Sequence, residues 1–229
     1  SARFSHPFTK LFEEERELTM MLIIDLSASN LFGTVSKRKK ELITEIAAVL
    51  AFSAITNNDK VGLILFSDKI EKYIAPKKGK PHALYLVREM LSAKTSGSGT
   101  NLDEAIRFFN NTTRQKSIAF VVSDFIDEAY VNDLKVIGKK HDVIGIKVYD
   151  KMDMDLPDAG LLQLEDAETK EIQLVDSSNA TVRQAYHRHF FKQNDLAIKN
   201  FRQAGADLLH VRTDEDYVKV LQQFFLKRK

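Results

Sequence analysis

The 229-residue chain has no cysteine, which excludes disulfides, thiolate metal sites and cysteine nucleophiles and suits a reducing, cytoplasmic setting. No apolar run approaches the roughly 18 residues that a membrane-spanning helix needs, and no signal sequence opens the chain. No membrane contact is therefore expected from this stretch. Neither sign of charge dominates: 34 basic against 32 acidic residues give a formal charge of +2, which removes the electrostatic case for a nucleic-acid partner. Internal repeats and low-complexity tracts are absent. Gly97-Ser98-Gly99 lacks the lysine of a phosphate-binding P-loop, and there is no G-x-S-x-G elbow for a serine nucleophile.

What is present is an ordinary globular composition, 44% hydrophobic and 29% charged, at a length that fits one large domain over residues 1–229. Leu18 to Asp25 and Val61 to Phe66 read as short strands that are almost wholly apolar, as expected when helices cover both faces of a parallel sheet. Ile70 to Ile74 alternates with charge and precedes Pro76, which marks an antiparallel edge strand. Ile118 to Ser123, Val143 to Tyr149 and Leu208 to Val211 supply three more strands. Helices are expected over Val35 to Thr56, Ala83 to Leu91, Thr100 or Asn101 to Asn110, Glu128 to Lys140, Ala180 to Gln203 and Asp214 to Leu226. Leu161 to Asp166 and Glu171 to Asp176 form a β-hairpin inserted at 150–178. The predicted fold class is α/β, a doubly wound, mostly parallel six-stranded sheet in the order 3-2-1-4-5-6 with one antiparallel edge strand.

Asp25-Leu26-Ser27-Ala28-Ser29 places one carboxylate and two hydroxyls at alternate positions where the first strand ends. In open α/β sheets ligands bind beyond the strand tips, and hard cations want oxygen donors. Ser96-Gly97-Ser98-Gly99-Thr100-Asn101 adds a hydroxyl on a glycine-rich loop, and Ile118 to Asp124 is a second strand ending in a carboxylate. With the predicted strand order, Asp25 and Asp124 are neighbours, and the three segments could surround one divalent ion. Taken singly, the same serines and aspartates are caps and turn formers.

Asp25, Ser27, Ser29, Thr100 and Asp124 resemble the metal-ion-dependent adhesion site of the von Willebrand factor A-like fold: D-x-S-x-S, then a threonine, then an aspartate. Many members of that superfamily read T-D-G at the last piece, whereas this chain reads Ser123-Asp124-Phe125. The resemblance implies that Asp25, Ser27 and Ser29 hold the metal, that Thr100 ligates directly or through water, and that Asp124 stands one shell out. Magnesium is the expected ion and manganese the second choice, because the donors are hard and the shell keeps water. An Asp or Glu of a protein partner would fill the open position.

Phe12-Glu13-Glu14-Glu15-Arg16-Glu17-Leu18-Thr19, Gly99-Thr100-Asn101-Leu102, Val122-Ser123-Asp124-Phe125 and the hairpin with Leu164-Glu165-Asp166, Thr169 and Val175-Asp176 resemble one bacterial branch, the domain-of-unknown-function fifty-eight family. Its members are commonly encoded beside MoxR-type AAA+ ATPases, which implies work with such an ATPase in assembly, maturation or stress tolerance. Residues 1–17 form an N-terminal extension. Ser1-Ala2-Arg3 resembles the end of a longer upstream segment in that family, so the chain is expected to be a piece of a longer protein.

A non-enzymatic binding module is expected. Two rivals stay open: a metal-dependent hydrolase or phosphoryl-transfer enzyme, disfavoured because no positioned base or phosphate-gripping residue accompanies the constellation, and a scaffold with a vestigial metal site. His187 and His189 stand two apart on a helix and face different ways, so they read as surface or packing residues. Asp150, Asp153, Asp155 and Asp158 suggest a calcium loop until Pro157 interrupts the pattern; a solvated acidic loop is expected instead.

Overall fold

A computed structural model describes residues 17–27, 39–93, 99–126, 129–165 and 171–228. Eight strands and seven helices follow one another as β1 (Thr19–Asp25), α1 (Lys39–Thr56), β2 (Lys60–Phe66), β3 (Ile70–Lys77), α2 (Lys80–Ser92), α3 (Leu102–Thr112), β4 (Ile118–Val122), α4 (Val131–Lys140), β5 (Asp142–Tyr149), α5 (Lys151–Met154), β6 (Leu161–Glu165), β7 (Ile172–Asp176), α6 (Ala180–Gln203), β8 (Asp207–Arg212) and α7 (Tyr217–Lys227). The main sheet runs β3-β2-β1-β4-β5-β8, all parallel except the edge strand β3. This is the expected doubly wound order, with β8 as the sixth strand. The hairpin pairs β6 with β7 in a sheet of its own.

The apolar runs are buried on both faces because strand alternation sends successive side chains to opposite sides. Met20, Leu22 and Ile24 of β1 meet α1, α2 and α7 through Leu42, Ile46, Leu86 and Leu221. Met21 and Ile23 meet the other layer, built by Ile106, Phe109, Leu134, Ile137 and Phe201 of α3, α4 and α6. From β1 the chain winds outward to β2 and β3; from β4 it winds the opposite way to β5 and β8. The two directions part between β1 and β4, opening a crevice at the C-terminal ends of those strands.

Helix ends follow local chemistry. The Asn101 side chain accepts from the Glu104 N–H and starts α3, Asn179 does the same for Thr181 in α6, and Asp216 caps α7. α5 was not anticipated: Asp150 and Asp153 form a reciprocal capping box around a single turn. Asp150 is fully buried and accepts from the Thr213 hydroxyl at 2.7 Å, which corrects the expectation of a solvated acidic loop at that residue, while Asp158 is exposed as expected. No helix among the described residues is long and apolar enough to cross a membrane.

Candidate functional site

Asp25 is the last residue of β1 and is 1% exposed. Its Oδ1 accepts from the Ser27 N–H at 2.8 Å, closing an Asx turn, and its Oδ2 accepts from the Ser123 hydroxyl at 2.8 Å. The Leu26 N–H donates to the Phe66 carbonyl, so the chain leaves β1 still tied to β2. Burial, and then the negative charge of Asp124, push the Asp25 carboxyl up to about 7, while the hydrogen bonds from Ser27 and Ser123 pull the other way. An acid in this state gains from a nearby cation.

The register that pairs Ile24 of β1 with Val122 of β4 puts Ser123 and Asp124 beside Asp25. Asp124 is half-buried, and its Oδ1 accepts from the Ile126 N–H at 3.4 Å. Phe125, which stands where many superfamily members have glycine, adopts φ 54, the left-handed region. That conformation costs a non-glycine residue about 1–2 kcal/mol. Its ring is buried, 4.9 Å from Phe201 and 5.9 Å from Tyr130 centre to centre, so packing holds the turn that glycine would permit by freedom alone.

Thr100 precedes the helix cap Asn101, whose N–H donates to the Ser67 carbonyl at 2.8 Å. Ser67 follows β2 directly, so the Thr100 segment is fastened to the same end of the sheet as Asp25. Ser27 is buried beside Asp25. Ser29 and residues 94–98 lie outside the described residues. Of the five predicted positions, the structure therefore brings Asp25, Ser27, Thr100 and Asp124 to one edge. Among the described residues no cluster of three or more His, Asp or Glu side chains could hold a metal. The donors that do converge, two carboxylates with hydroxyls, suit a hard, water-keeping cation and no softer one.

Three residues near this edge escaped the sequence reading. Ser123 bridges the two strands through its bond to Asp25. Lys147 of β5 is 3% exposed, and burial lowers the pKa of its ammonium. Lys39, at the start of α1, pairs with Asp153 at 2.6 Å. A lysine inside an otherwise apolar parallel strand was the available signal for Lys147. The histidines behave as expected: His187 contacts Asp155 at 2.6 Å on an exposed helix face.

Comparison with other proteins agrees with this architecture. The domain of SpRpn10 called a VWA domain superposes with a TM-score of 0.51 at 13% identity, covering 91% of this chain and 95% of that one. An aerotolerance-related membrane protein of Bacteroides fragilis gives 0.59 at 15% identity, covering 90% and 96%. An uncharacterised protein of Mycobacterium tuberculosis is 27% identical over 232 aligned positions, which take in 100% of this chain and 73% of that protein. The family described as "Protein of unknown function DUF58" matches residues 1–195, and the chain belongs to that family, with a von Willebrand factor A-like fold.

Proposed function

We propose that the chain is a protein-interaction module that engages its partner through a divalent cation, magnesium first and manganese second. Asp25, Ser27 and Thr100 would hold the ion, with Ser29 expected from its spacing and Asp124 acting one shell out. The bound ion would supply an electrophilic position able to accept an oxygen from an Asp or Glu of the partner. The observation that carries this reading is Asp25: a buried carboxylate at the switch point, held by Ser27 and Ser123, with a second carboxylate, Asp124, just past the end of the neighbouring strand. The protein's own residues preset the site. Ser123 and the Ser27 N–H fix the plane of the Asp25 carboxylate, and the Phe125 turn orients Asp124.

A MoxR-type AAA+ ATPase is the proposed working partner, in the assembly or maturation of a complex, in a cytoplasmic setting. Non-enzymatic action is part of the same proposal. Isothermal titration of the metal-free protein with magnesium is the direct test. One site is expected, lost in Asp25→Ala while circular dichroism stays unchanged. Undiminished binding in that variant would remove the assignment.

A further inference from the structure

Lys147 is an ammonium in the wrong place for a structural residue. β5 sends Val143 and Gly145 toward α4 and α6, and alternation puts Lys147 on that same side. Its Nζ lies 5.3 Å from the centre of the Phe190 ring. Among the described residues no carboxylate comes within ion-pair reach of it. Asp153 is already engaged by Lys39 at 2.6 Å. The remaining neighbouring carboxylate is Asp124, which attracts Lys147 through space. The register aligns Val122 with Ile146, and the Ser123 N–H donates to the Ile146 carbonyl, so Lys147 follows alongside Ser123 and Asp124. The contact this ammonium has is the face of the Phe190 ring, a cation–π pair rather than an ion pair, and an apolar residue of similar shape would fill the same space at little cost in stability. Packing alone gives no reason for lysine here.

We infer that Lys147 sets the net charge of the candidate cation centre and so determines which partner it accepts. The inference rests on the cation reading above. A divalent ion with Asp25 and Asp124 is neutral in sum; the ammonium of Lys147 makes the loaded centre a monocation. Such a centre holds its metal less tightly than a neutral one and takes a singly charged carboxylate in preference to a neutral or cationic group. Lys147 touches neither metal nor partner. It is a positioning charge, acting through low-dielectric protein where Coulomb terms stay large.

The test is magnesium titration by calorimetry of the whole chain as wild type, Lys147→Met, Lys147→Gln and Lys147→Arg, at pH 8.5 so that proton competition at carboxylates is small. Methionine keeps the length of the stem and makes a favourable sulfur contact with the Phe190 ring. Folding is checked by thermal midpoint and near-ultraviolet circular dichroism, and Lys147→Gln serves if the methionine variant does not fold. Removing the charge is expected to tighten magnesium at least about threefold, with Lys147→Arg close to wild type. Acetate, as the carboxylate probe, should raise magnesium affinity in wild type and Lys147→Arg more than in the neutral variants. A folded neutral variant with unchanged or weaker magnesium affinity overturns the role of Lys147 alone. Failure of the wild type to bind magnesium or manganese overturns the cation centre and this inference together.

Discussion

Asp25 pulls stability and binding in opposite directions. Its folded carboxyl is raised from the ordinary 3.8 to about 7, so between those values the folded protein binds more proton than the unfolded chain. Without metal, this group's contribution to stability therefore falls as pH rises from 3.8 to about 7. Asp25→Asn keeps the acceptor for the Ser27 N–H and removes the charge. In chelator its thermal midpoint should exceed that of wild type at pH 8, with the difference vanishing near pH 4; equal midpoints at pH 8 would count against a strained carboxylate. His141 has the opposite slope. Both ring nitrogens are buried without a hydrogen bond among the described residues, the ring sits 4.6 Å from Phe109, and burial lowers its pKa from 6.5 to about 4. The unfolded chain then takes up the proton first, so stability present above pH 6.5 is lost as pH falls toward 4. His141→Phe should move the acid-unfolding midpoint, followed by circular dichroism, to lower pH. His210, also lowered to about 4 by burial, leaves a remaining acid slope in that variant.

At the scale of elements, the turn after β4 sets strain against packing. Phe125→Gly would relieve about 1–2 kcal/mol of left-handed strain. It would also forfeit a buried ring, typically worth about 3–5 kcal/mol. Packing wins, so chemical denaturation should show a net loss of about 2 kcal/mol, less than a buried phenylalanine normally costs. A gain in stability would show that strain dominates. The seam between α4 and the end of α6 is equally specific. A Cβ on Gly138 would lie 2.1 Å from the Ala204 carbonyl oxygen, and that backbone oxygen cannot swing aside. Gly138→Ala should destabilise by about 1–3 kcal/mol in the same measurement.

At the scale of the whole molecule, the β6–β7 hairpin stands apart from the core. Neither face of the main sheet buries any described residue between 161 and 176, while Leu161, Ile172 and Leu174 are well exposed. The base of the hairpin is pinned by the buried Ser177, whose N–H and hydroxyl both donate to the Gly160 carbonyl at 2.7 Å. Replacing 161–176 by a short Asn-Gly turn should leave cooperative thermal unfolding within a few degrees of wild type. A large drop in midpoint would mean that the hairpin contributes to the core after all. The magnesium affinity of this deletion should also match wild type, since the crevice between β1 and β4 is formed without it.

The sequence by itself determined the strand order, the edge strand, the hairpin and the end of the sheet at which Asp25 and Asp124 meet. Those follow from features local along the chain: apolar runs buried on both faces, proline after an alternating strand, and a carboxylate where each run stops. α5 was missed because its capping box closes a single turn, too short to leave a period. Only tertiary structure decided that Ser123 bonds to Asp25 across two strands, that Phe125 holds a glycine-like turn by packing against Phe201, and that Lys147 is buried beside Asp124 with Asp153 already taken by Lys39. These depend on residues tens of positions apart meeting in one place, and on how much water is left there. Burial turns an ordinary aspartate into one raised to about 7 and lowers the pKa of an ordinary lysine, and burial is a property of the fold, not of any one stretch of chain.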